Sequence, residues 1–286
     1  MENFLLILFR NFPFQWRFML YKKIIPVLLF ILMTSSCGNK YAATNRSYKK
    51  QARAFAKDLK KQPADIDSTN ASSVWVGTTN FGMRKPNFVI IHHTAQNSCE
   101  QTLTTFTLVR TQVSAHYVIC KDGTVHHMLN DYLRAWHAGN GKWGNVTDVN
   151  SSSIGIELDN NGFEAFTEAQ INNLLQVLKT LKKNYNIPTA NFIGHADIAP
   201  TGKVDPNRFF PWQQLAQNGF GYWYDTANMK LPENFNSIQS LRIIGYDTRD
   251  TIAAIKAFKL HFVQQDRVSV INDADKKIIY ELSKKY

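Results

Sequence analysis

Two short apolar runs, each ending at a histidine, constrain the fold of this chain more than any other feature. Residues 88–91 form a β-branched run that stops at His92, and residues 191–194 form a short run that stops at His195. Such runs predict short buried strands. Side chains at strand ends can converge above a sheet edge, where a cleft usually forms. We therefore expect one sheet with His92 and His195 near the same edge.

The segments between and after these runs predict an α/β domain over residues 70–225. Residues 114–120 and 124–129 read as two strands joined by a hairpin turn on Asp122-Gly123, and residues 153–158 form a fourth strand. A capping box at residues 167–170 opens a helix that stops before Pro188. Strands mixed with helices predict a mixed central β-sheet flanked by helices.

The C-terminal part of the chain has a different pattern. Residues 226–236 are polar and are predicted to be a linker. Residues 237–286 contain three short apolar runs with helical spacing, which predict a small three-helix bundle.

The N-terminal 36 residues are predicted to be a signal segment, with Met19 as a possible true start. Lys22 and Lys23 precede an apolar stretch of secretory length, followed by small residues that end at Cys37. This pattern resembles a bacterial lipoprotein signal, although Thr34 stands where that signal usually has Leu. The resemblance implies a lipid on Cys37 and an exported protein in the cell envelope, at the outer membrane facing the periplasm. An ordinary signal peptide or a single N-terminal anchor is the alternative.

The formal charge of +11 suits a polyanionic partner. Much of the positive charge lies in residues 37–69, which we interpret as a basic tether. This tether either lies along an anionic membrane surface or is simply flexible. An exported chain does not routinely meet nucleic acid, so we expect no nucleic-acid partner, and we expect a monomer.

His92 and His195 gain a third candidate ligand in Asp205, which follows His195 across a Pro- and Gly-containing loop. Two histidines and one carboxylate, with a fourth position left for water, are typical of a catalytic zinc site. His93 points to the opposite face of an extended strand from His92. We therefore expect His93 to be a packing or hydrogen-bonded residue.

Five segments in order carry a family resemblance. They are residues 89–95 (VIIHHTA), 114–119 (SAHYVI), 134–139 (RAWHAG), 153–158 (SIGIEL) and 194–200 (GHADIAP). Together they resemble the zinc-dependent N-acetylmuramoyl-L-alanine amidases of the type-2 family, which share their fold with peptidoglycan-recognition proteins. Residues 237–286 resemble a peptidoglycan-binding domain more loosely.

The resemblance implies a role for several residues. The zinc ligands fall on His92, His195 and Asp205, the general base on Glu157 and a second essential polar residue on Lys203. The implied reaction is zinc-dependent hydrolysis of the amide bond between N-acetylmuramic acid and L-alanine, in peptidoglycan or in muropeptides. Zinc activates water, a carboxylate accepts the proton, and a lysine stabilises the developing oxyanion.

Other residues near these motifs have two interpretations. Candidates for lining the substrate groove are His116, Tyr117, Trp136 and His137, with core packing as the alternative. Asp197 is a candidate to orient a ligand histidine. Cys99 and Cys120 are either a disulfide or two free thiols.

A binding module with the same fold but no catalysis is the main competing function. Non-catalytic relatives lack a zinc ligand, whereas His92, His195 and Asp205 are all present here. The sequence therefore favours an enzyme.

Overall fold

The computed structural model describes residues 40–61, 76–227, 229–266 and 268–286. It divides the chain into two compact units, residues 1–78 and 79–286. The predicted signal segment and Cys37 lie outside the described residues.

The second unit is built on a five-stranded sheet. Its strands are β1 (Phe88–His93), β2 (Tyr117–Ile119), β3 (Val125–His127), β4 (Ser153–Leu158) and β5 (Phe192–Gly194). The strand order is β3-β2-β4-β1-β5. β1 pairs in parallel with both β4 and β5, β2 pairs in parallel with β4, and β2 pairs antiparallel with β3. The predicted mixed sheet is confirmed.

The helices are numbered in chain order, and the first of them, α1 (Ala42–Asp58), lies in the first unit. Those of the second unit are α2 (Cys99–Thr107), α3 (Val149–Ser152), α4 (Glu168–Tyr185), α5 (His195–Ile198), α6 (Trp212–Gln217), α7 (Ser237–Ile244), α8 (Thr251–Phe262) and α9 (Asp273–Ser283). The capping box predicted for α4 is present, because the Thr167 side chain accepts from the Gln170 N–H and the Gln170 side chain bonds back.

Alternating residues of β1 separate two hydrophobic clusters. Val89 and Ile91 pack into one cluster with the apolar stripe of α4, while Phe88 and Ile90 belong to the other. Because side chains alternate along a strand, His92 lies on the face of Ile90. The sheet therefore presents His92 on the same side as the second cluster.

The C-terminal helices supply much of that second cluster. Leu241 of α7, Phe258 of α8 and Ile279 of α9 are all buried in it together with Ile90 of β1. The predicted three-helix segment is present, and residues 79–286 form one compact unit. The segment after the predicted linker thus packs into the same core as the sheet.

Part of the predicted tether, residues 37–69, is a regular helix. Residues 42–58 form the helix α1, in which no residue is buried. The basic composition does not predict this helix. Among the described residues, no helix is both long and apolar enough to cross a bilayer.

Cys99 and Cys120 form a disulfide. It joins the first residue of α2 to the residue that follows β2, and so decides between the two interpretations of these cysteines.

Candidate active site

Three side chains converge at the carboxyl ends of β1 and β5. His92 Nδ1 lies 3.0 Å from His195 Nδ1 and 3.1 Å from Asp205 Oδ2. His195 Nδ1 lies 3.0 Å from the same Asp205 oxygen. All three residues are buried. The structure therefore brings together the three residues predicted to be ligands.

This triangle of atoms fits a bound cation. Tetrahedral zinc, with bonds of about 2.0–2.2 Å, keeps its ligand atoms roughly 3.3 Å apart, close to the distances found here. Although burial opposes ionisation, the two histidines hold the pKa of the Asp205 carboxyl well below its usual range. Burial lowers the pKa of His92 to about 4. A carboxylate and a neutral imidazole are the forms that bind a metal.

A chain of hydrogen bonds fixes the tautomer of His92. The Ser153 hydroxyl donates to Val149 O at 2.6 Å, so its oxygen accepts from His137 Nε2 at 3.1 Å. His137 is neutral because burial lowers its pKa well below the usual value. Its Nδ1 therefore accepts from His92 Nε2 at 3.0 Å. It follows that His92 Nδ1 carries no proton and directs its lone pair at Asp205 and His195.

A glycine makes room for this chain of hydrogen bonds. A Cβ atom at Gly155 of β4 would lie 2.4 Å from Cγ of the His137 ring. No side chain is compatible with that approach, so the SIGIEL segment needs glycine at this position.

His195, the second converging histidine, is held differently. His195 is the first residue of α5, and a Cβ on Gly194 before it would lie 2.9 Å from Cδ of Pro206. This glycine lets the segment after His195 fold back, and Ala196 N–H donates to Asp205 O at 2.8 Å. The expected folding back of the Pro- and Gly-containing loop is confirmed.

Asp197 connects α5 to the C-terminal helices. Its carboxylate accepts from Gly194 N–H, from the Tyr246 hydroxyl and from His261 Nδ1, each at 2.7 Å. The His261 ring also stacks on Trp212, with ring centroids 3.8 Å apart. Asp197 therefore fixes the helix that carries His195 rather than the imidazole itself.

Glu157 lies beside the three converging residues. It pairs in register with His92 across β1 and β4, and alternation places it on the same face of the sheet. Among the described residues, its buried Oε2 atom has no hydrogen-bond partner. Burial, reinforced by the Asp205 carboxylate, raises the pKa of Glu157 to about 8. This carboxyl group is poised to exchange a proton near neutral pH.

Lys203 lies on the exposed loop between His195 and Asp205. Its charge is near enough to favour ionisation of Glu157 and to oppose protonation of His92. The loop thus places the positive charge of Lys203 close to the Glu157 carboxyl group.

The predicted groove residues separate into two groups. His116 is fully buried, with Nδ1 accepting from Gly155 N–H at 3.1 Å and Nε2 lying 3.0 Å from Leu133 O. His137 is buried behind His92, with both ring nitrogens bonded. Neither histidine offers a free ring nitrogen to a substrate, so we reassign both from the groove to the support of the site.

Tyr117 and Trp136 have more exposed surroundings. The Tyr117 hydroxyl donates to Asp131 at 3.1 Å, and its ring stacks on His127 at 4.3 Å. The Trp136 side chain is 47% exposed and directly precedes His137. Of the four groove candidates, Trp136 is the one that presents a large apolar side chain to solvent.

Two supporting residues have no sequence signal. Arg84 donates to the carbonyl oxygens of Ser151 and Ser153 at 3.0 and 3.1 Å, and also to Asp131 O at 2.8 Å. The buried Asn150 side chain accepts from His137 N–H at 3.0 Å. Both residues hold backbone segments that are distant in sequence, which no local pattern reveals.

His93 takes the packing role expected of it. It is buried, and its Nε2 lies against Gly162, where a Cβ would be only 3.1 Å away. It is not among the converging ligand atoms.

Known proteins share both the sequence and the architecture of this site. Residues 82–208 match the family profile described as N-acetylmuramoyl-L-alanine amidase. The chain is 34% identical over 206 residues to the N-acetylmuramoyl-L-alanine amidase AmiD of Escherichia coli, covering 61% of this chain and 74% of that protein. The chain belongs to the type-2 N-acetylmuramoyl-L-alanine amidase family. The enzyme class predicted from the five motifs is thereby confirmed.

Other relatives of the amidase match a shorter segment. The 1,6-anhydro-N-acetylmuramyl-L-alanine amidase AmpD of Haemophilus influenzae is 36% identical over 104 residues, which cover 36% of this chain and 56% of that protein.

Solved structures extend the likeness beyond the residues matched by the family profile. A complex of E. coli AmiD with anhydro-N-acetylmuramic acid-L-Ala-D-γ-Glu-L-Lys has a TM-score of 0.65 and 29% identity, covering 79% of this chain and 96% of that one. AMPDH3 of Pseudomonas aeruginosa also has a TM-score of 0.65, with 27% identity over 78% of this chain and 99% of its own. The predicted α/β fold class is confirmed.

Proposed function

We propose that this amidase uses a zinc ion held by His92, His195 and Asp205 to cleave the amide bond between N-acetylmuramic acid and L-alanine. The substrates are peptidoglycan or its muropeptide fragments, as the AmiD complex with an anhydromuramyl peptide suggests. The observation that carries the proposal is the convergence of three ligand atoms within 3.0–3.1 Å of one another beside the partly exposed Glu157.

Zinc bound to these ligands would lower the pKa of a coordinated water to about 7 and polarise the scissile carbonyl. Glu157 accepts a proton from the attacking water and passes it to the leaving amine of L-alanine. Burial raises the pKa of Glu157 to about 8 in the metal-free protein, and a zinc ion beside it would lower this pKa and so supply the carboxylate form that accepts the proton.

Lys203 and Trp136 complete the proposed site. The Lys203 ammonium offers positive charge to the oxyanion, an interaction of about 3 kcal/mol in related cases. The exposed indole of Trp136 offers a flat apolar face for the sugar or the stem peptide. Tyr117 remains a candidate through its ring, because its hydroxyl is bonded to Asp131.

Product analysis tests this function. Purified enzyme would be incubated with intact sacculi and with a soluble muropeptide, with and without a chelator, and the products identified by mass spectrometry. We expect peptides with a free L-alanine amine, no cleavage with chelator and recovery when zinc is restored. Cleavage at another bond, or activity that a chelator does not affect, would refute the proposal.

We further propose that α7–α9 add affinity for the cell wall. A surface hollow of about 480 Å³ is lined by Asn236, Ile238, Gln239, Arg242 and Ile243. Arg242→Ala should weaken binding to insoluble peptidoglycan and leave hydrolysis of a small muropeptide unchanged. Unchanged binding in a pull-down assay would exclude this hollow as a binding surface.

Finally, we propose that Cys37 carries a lipid that anchors the protein in the outer membrane, facing the periplasm. Fractionation of cells that express Cys37→Ser tests this directly. Wild type should remain with membranes and incorporate labelled fatty acid, whereas the variant should not be labelled. A labelled variant would refute modification at this residue.

A further inference from the structure

The helix α1 has two chemically distinct faces. Successive residues of an α-helix are separated by about 100° around its axis. This rotation places all five Lys and Arg residues of the helix within an arc of about 100°. These residues are Arg46, Lys49, Lys50, Arg53 and Lys57. Asp58 is the single acidic residue of the helix, and it pairs with Lys61 at 2.7 Å.

The apolar face lies on roughly the opposite side of the helix. Tyr48, Ala52, Phe55 and the C-capping Leu59 fall within an arc of about 60°. Tyr48 is 37% exposed, Phe55 48% and Leu59 83%. Three large apolar side chains in one row, none of them buried, require an explanation, because the rest of the helix is strongly polar.

An anionic bilayer surface matches both faces. A helix with aromatic and Leu side chains on one face and Lys or Arg on the other lies in the plane of a membrane interface. Lys49 at one edge of the basic arc lies about 60° from Ala52 on the apolar arc, and the long side chains of Lys and Arg can extend their charged ends toward the interface. The basic face therefore still attracts anionic headgroups when the apolar face is embedded.

A second copy of the chain is the competing occupant. Tyr48, Ala52, Phe55 and Leu59 also have coiled-coil spacing. However, the helix has 17 residues, which is little more than two heptads, and a stable coiled coil generally requires three or four. The concentration of five cations on one side of the helix favours the membrane.

We propose that α1 is an interfacial helix that lies on an anionic phospholipid surface, with Tyr48, Phe55 and Leu59 directed at the acyl chains. The proposal rests on the proposed anchoring at Cys37 only in placing the helix near a membrane. It gives the segment before the catalytic unit a defined position on the bilayer instead of the free reach of a flexible tether.

A matched pair of single-cysteine variants tests the orientation. Ala52 lies on the apolar face, and Ala54, two residues later, lies about 160° from it. Ala52→Cys and Ala54→Cys change no charge, and Cys99 and Cys120 are already in a disulfide. Cys37 is blocked if it carries the proposed lipid, and labelling of the unsubstituted protein, which should be negligible, checks this before the variants are compared. Each full-length variant would be labelled with an environment-sensitive fluorophore and reconstituted into vesicles that contain phosphatidylglycerol and brominated acyl chains.

We expect the label at position 52 to be quenched several-fold more strongly than the label at position 54. The difference should shrink in purely zwitterionic vesicles or when Arg53→Gln and Lys57→Gln are combined. Equal quenching at both positions, or stronger quenching at position 54, would overturn the proposal. Energy transfer between labels at position 52 that persists without anionic lipid would instead assign the face to a second copy.

Flotation and activity measurements on the same samples distinguish a failure of the interfacial helix from a failure of the lipid anchor or of the catalytic unit. Flotation with the vesicles reports anchoring through the N-terminal segment, and muropeptide hydrolysis reports the catalytic unit. A protein that floats and hydrolyses substrate but shows no difference in quenching contradicts only the interfacial helix.

Discussion

The two histidines proposed as zinc ligands reach the site from different kinds of element. His92 is the next-to-last residue of β1, which lies between β4 and β5, and behind it His137 and Ser153 form a chain of hydrogen bonds that belongs to the sheet domain. His195 begins the four-residue helix α5, which Asp197 ties to Tyr246 and His261 of the C-terminal segment. One half of the site is thus supported by the sheet, and the other half depends on helices from the end of the chain.

This difference changes the expected role of the C-terminal segment. Its resemblance to a peptidoglycan-binding domain suggested affinity alone. Because Asp197 is buried and accepts from two C-terminal side chains, the same helices also position the loop with His195 and Asp205. Their removal should therefore affect the metal site as well as wall binding.

The largest expected effect comes from removing a ligand on either side. His92→Ala and His195→Ala should both lose bound zinc and reduce activity to that of the chelated enzyme, since a three-ligand site becomes a two-ligand site. His93→Ala is the neighbouring control and should keep its zinc. Zinc content and turnover, both measured on folded protein, test whether each histidine binds the metal. Full zinc occupancy in either variant would show that the substituted histidine is not a ligand.

The next largest effect concerns Glu157 on the sheet side. Glu157→Gln keeps the shape of the side chain but cannot accept a proton, so turnover should fall by about 10²–10⁴-fold with zinc content unchanged. The exposed Glu164, which pairs with Lys121, provides a control, and Glu164→Gln should keep full activity. A fully active Glu157→Gln enzyme would exclude this residue as the general base.

The pKa of Glu157 also predicts how the stability of the metal-free protein depends on pH. The folded state raises this pKa from 4.5 to about 8, so folding favours the protonated carboxyl. The stabilising contribution is complete below about pH 4.5 and is lost as the pH rises through 8, at up to about 1.4 kcal/mol per pKa unit. Denaturant titrations of wild type and Glu157→Gln should therefore diverge across this range. Parallel pH profiles would show that the carboxyl group ionises freely in the fold.

A smaller effect is expected on the His195 side. His261→Ala removes one partner of Asp197, which holds the helix that carries His195, so zinc affinity should fall by less than the factor of about 10–100 typical of residues bonded to a ligand itself. The free energy of unfolding should also fall by about 1–3 kcal/mol, because a buried carboxylate loses a hydrogen bond. Tyr246→Phe, which removes only a hydroxyl group, should have the same effects to a lesser degree. Zinc titration of both variants would show whether the C-terminal helices influence the zinc affinity of the site. Unchanged affinity in both variants would mean that they do not.

Much of the fold followed from local patterns. The strand at residues 153–158 and the helix that begins after Thr167 match the structure, because alternation, helical spacing and capping are encoded within each segment. The three candidate ligands follow from the family resemblance, since two histidines at strand ends and one carboxylate after a turning loop are by themselves only a weak indication of a metal site.

The support of the site was not predictable in this way. His116 and His137 were expected in the groove, yet both are buried with their ring nitrogens bonded. The order of the motifs indicates which residues lie near the site. It does not indicate whether a residue faces the substrate or packs behind the converging histidines. The helix α1 is likewise not predicted, because a basic segment with few large apolar residues is typical of a solvated tether.

The sequence by itself determined the strands of the sheet, most of the helices, the candidate ligands and the family, since these depend on short segments and their order. Only the tertiary structure decided which side chains hold the ligands in place. His92 meets His137 across 45 residues, and Asp197 meets Tyr246 and His261 across 49 and 64. Contacts over such separations form because the sheet and the helices bury polar side chains when they pack, and a buried polar group requires a hydrogen-bond partner. No local pattern in the chain specifies which residue that partner is.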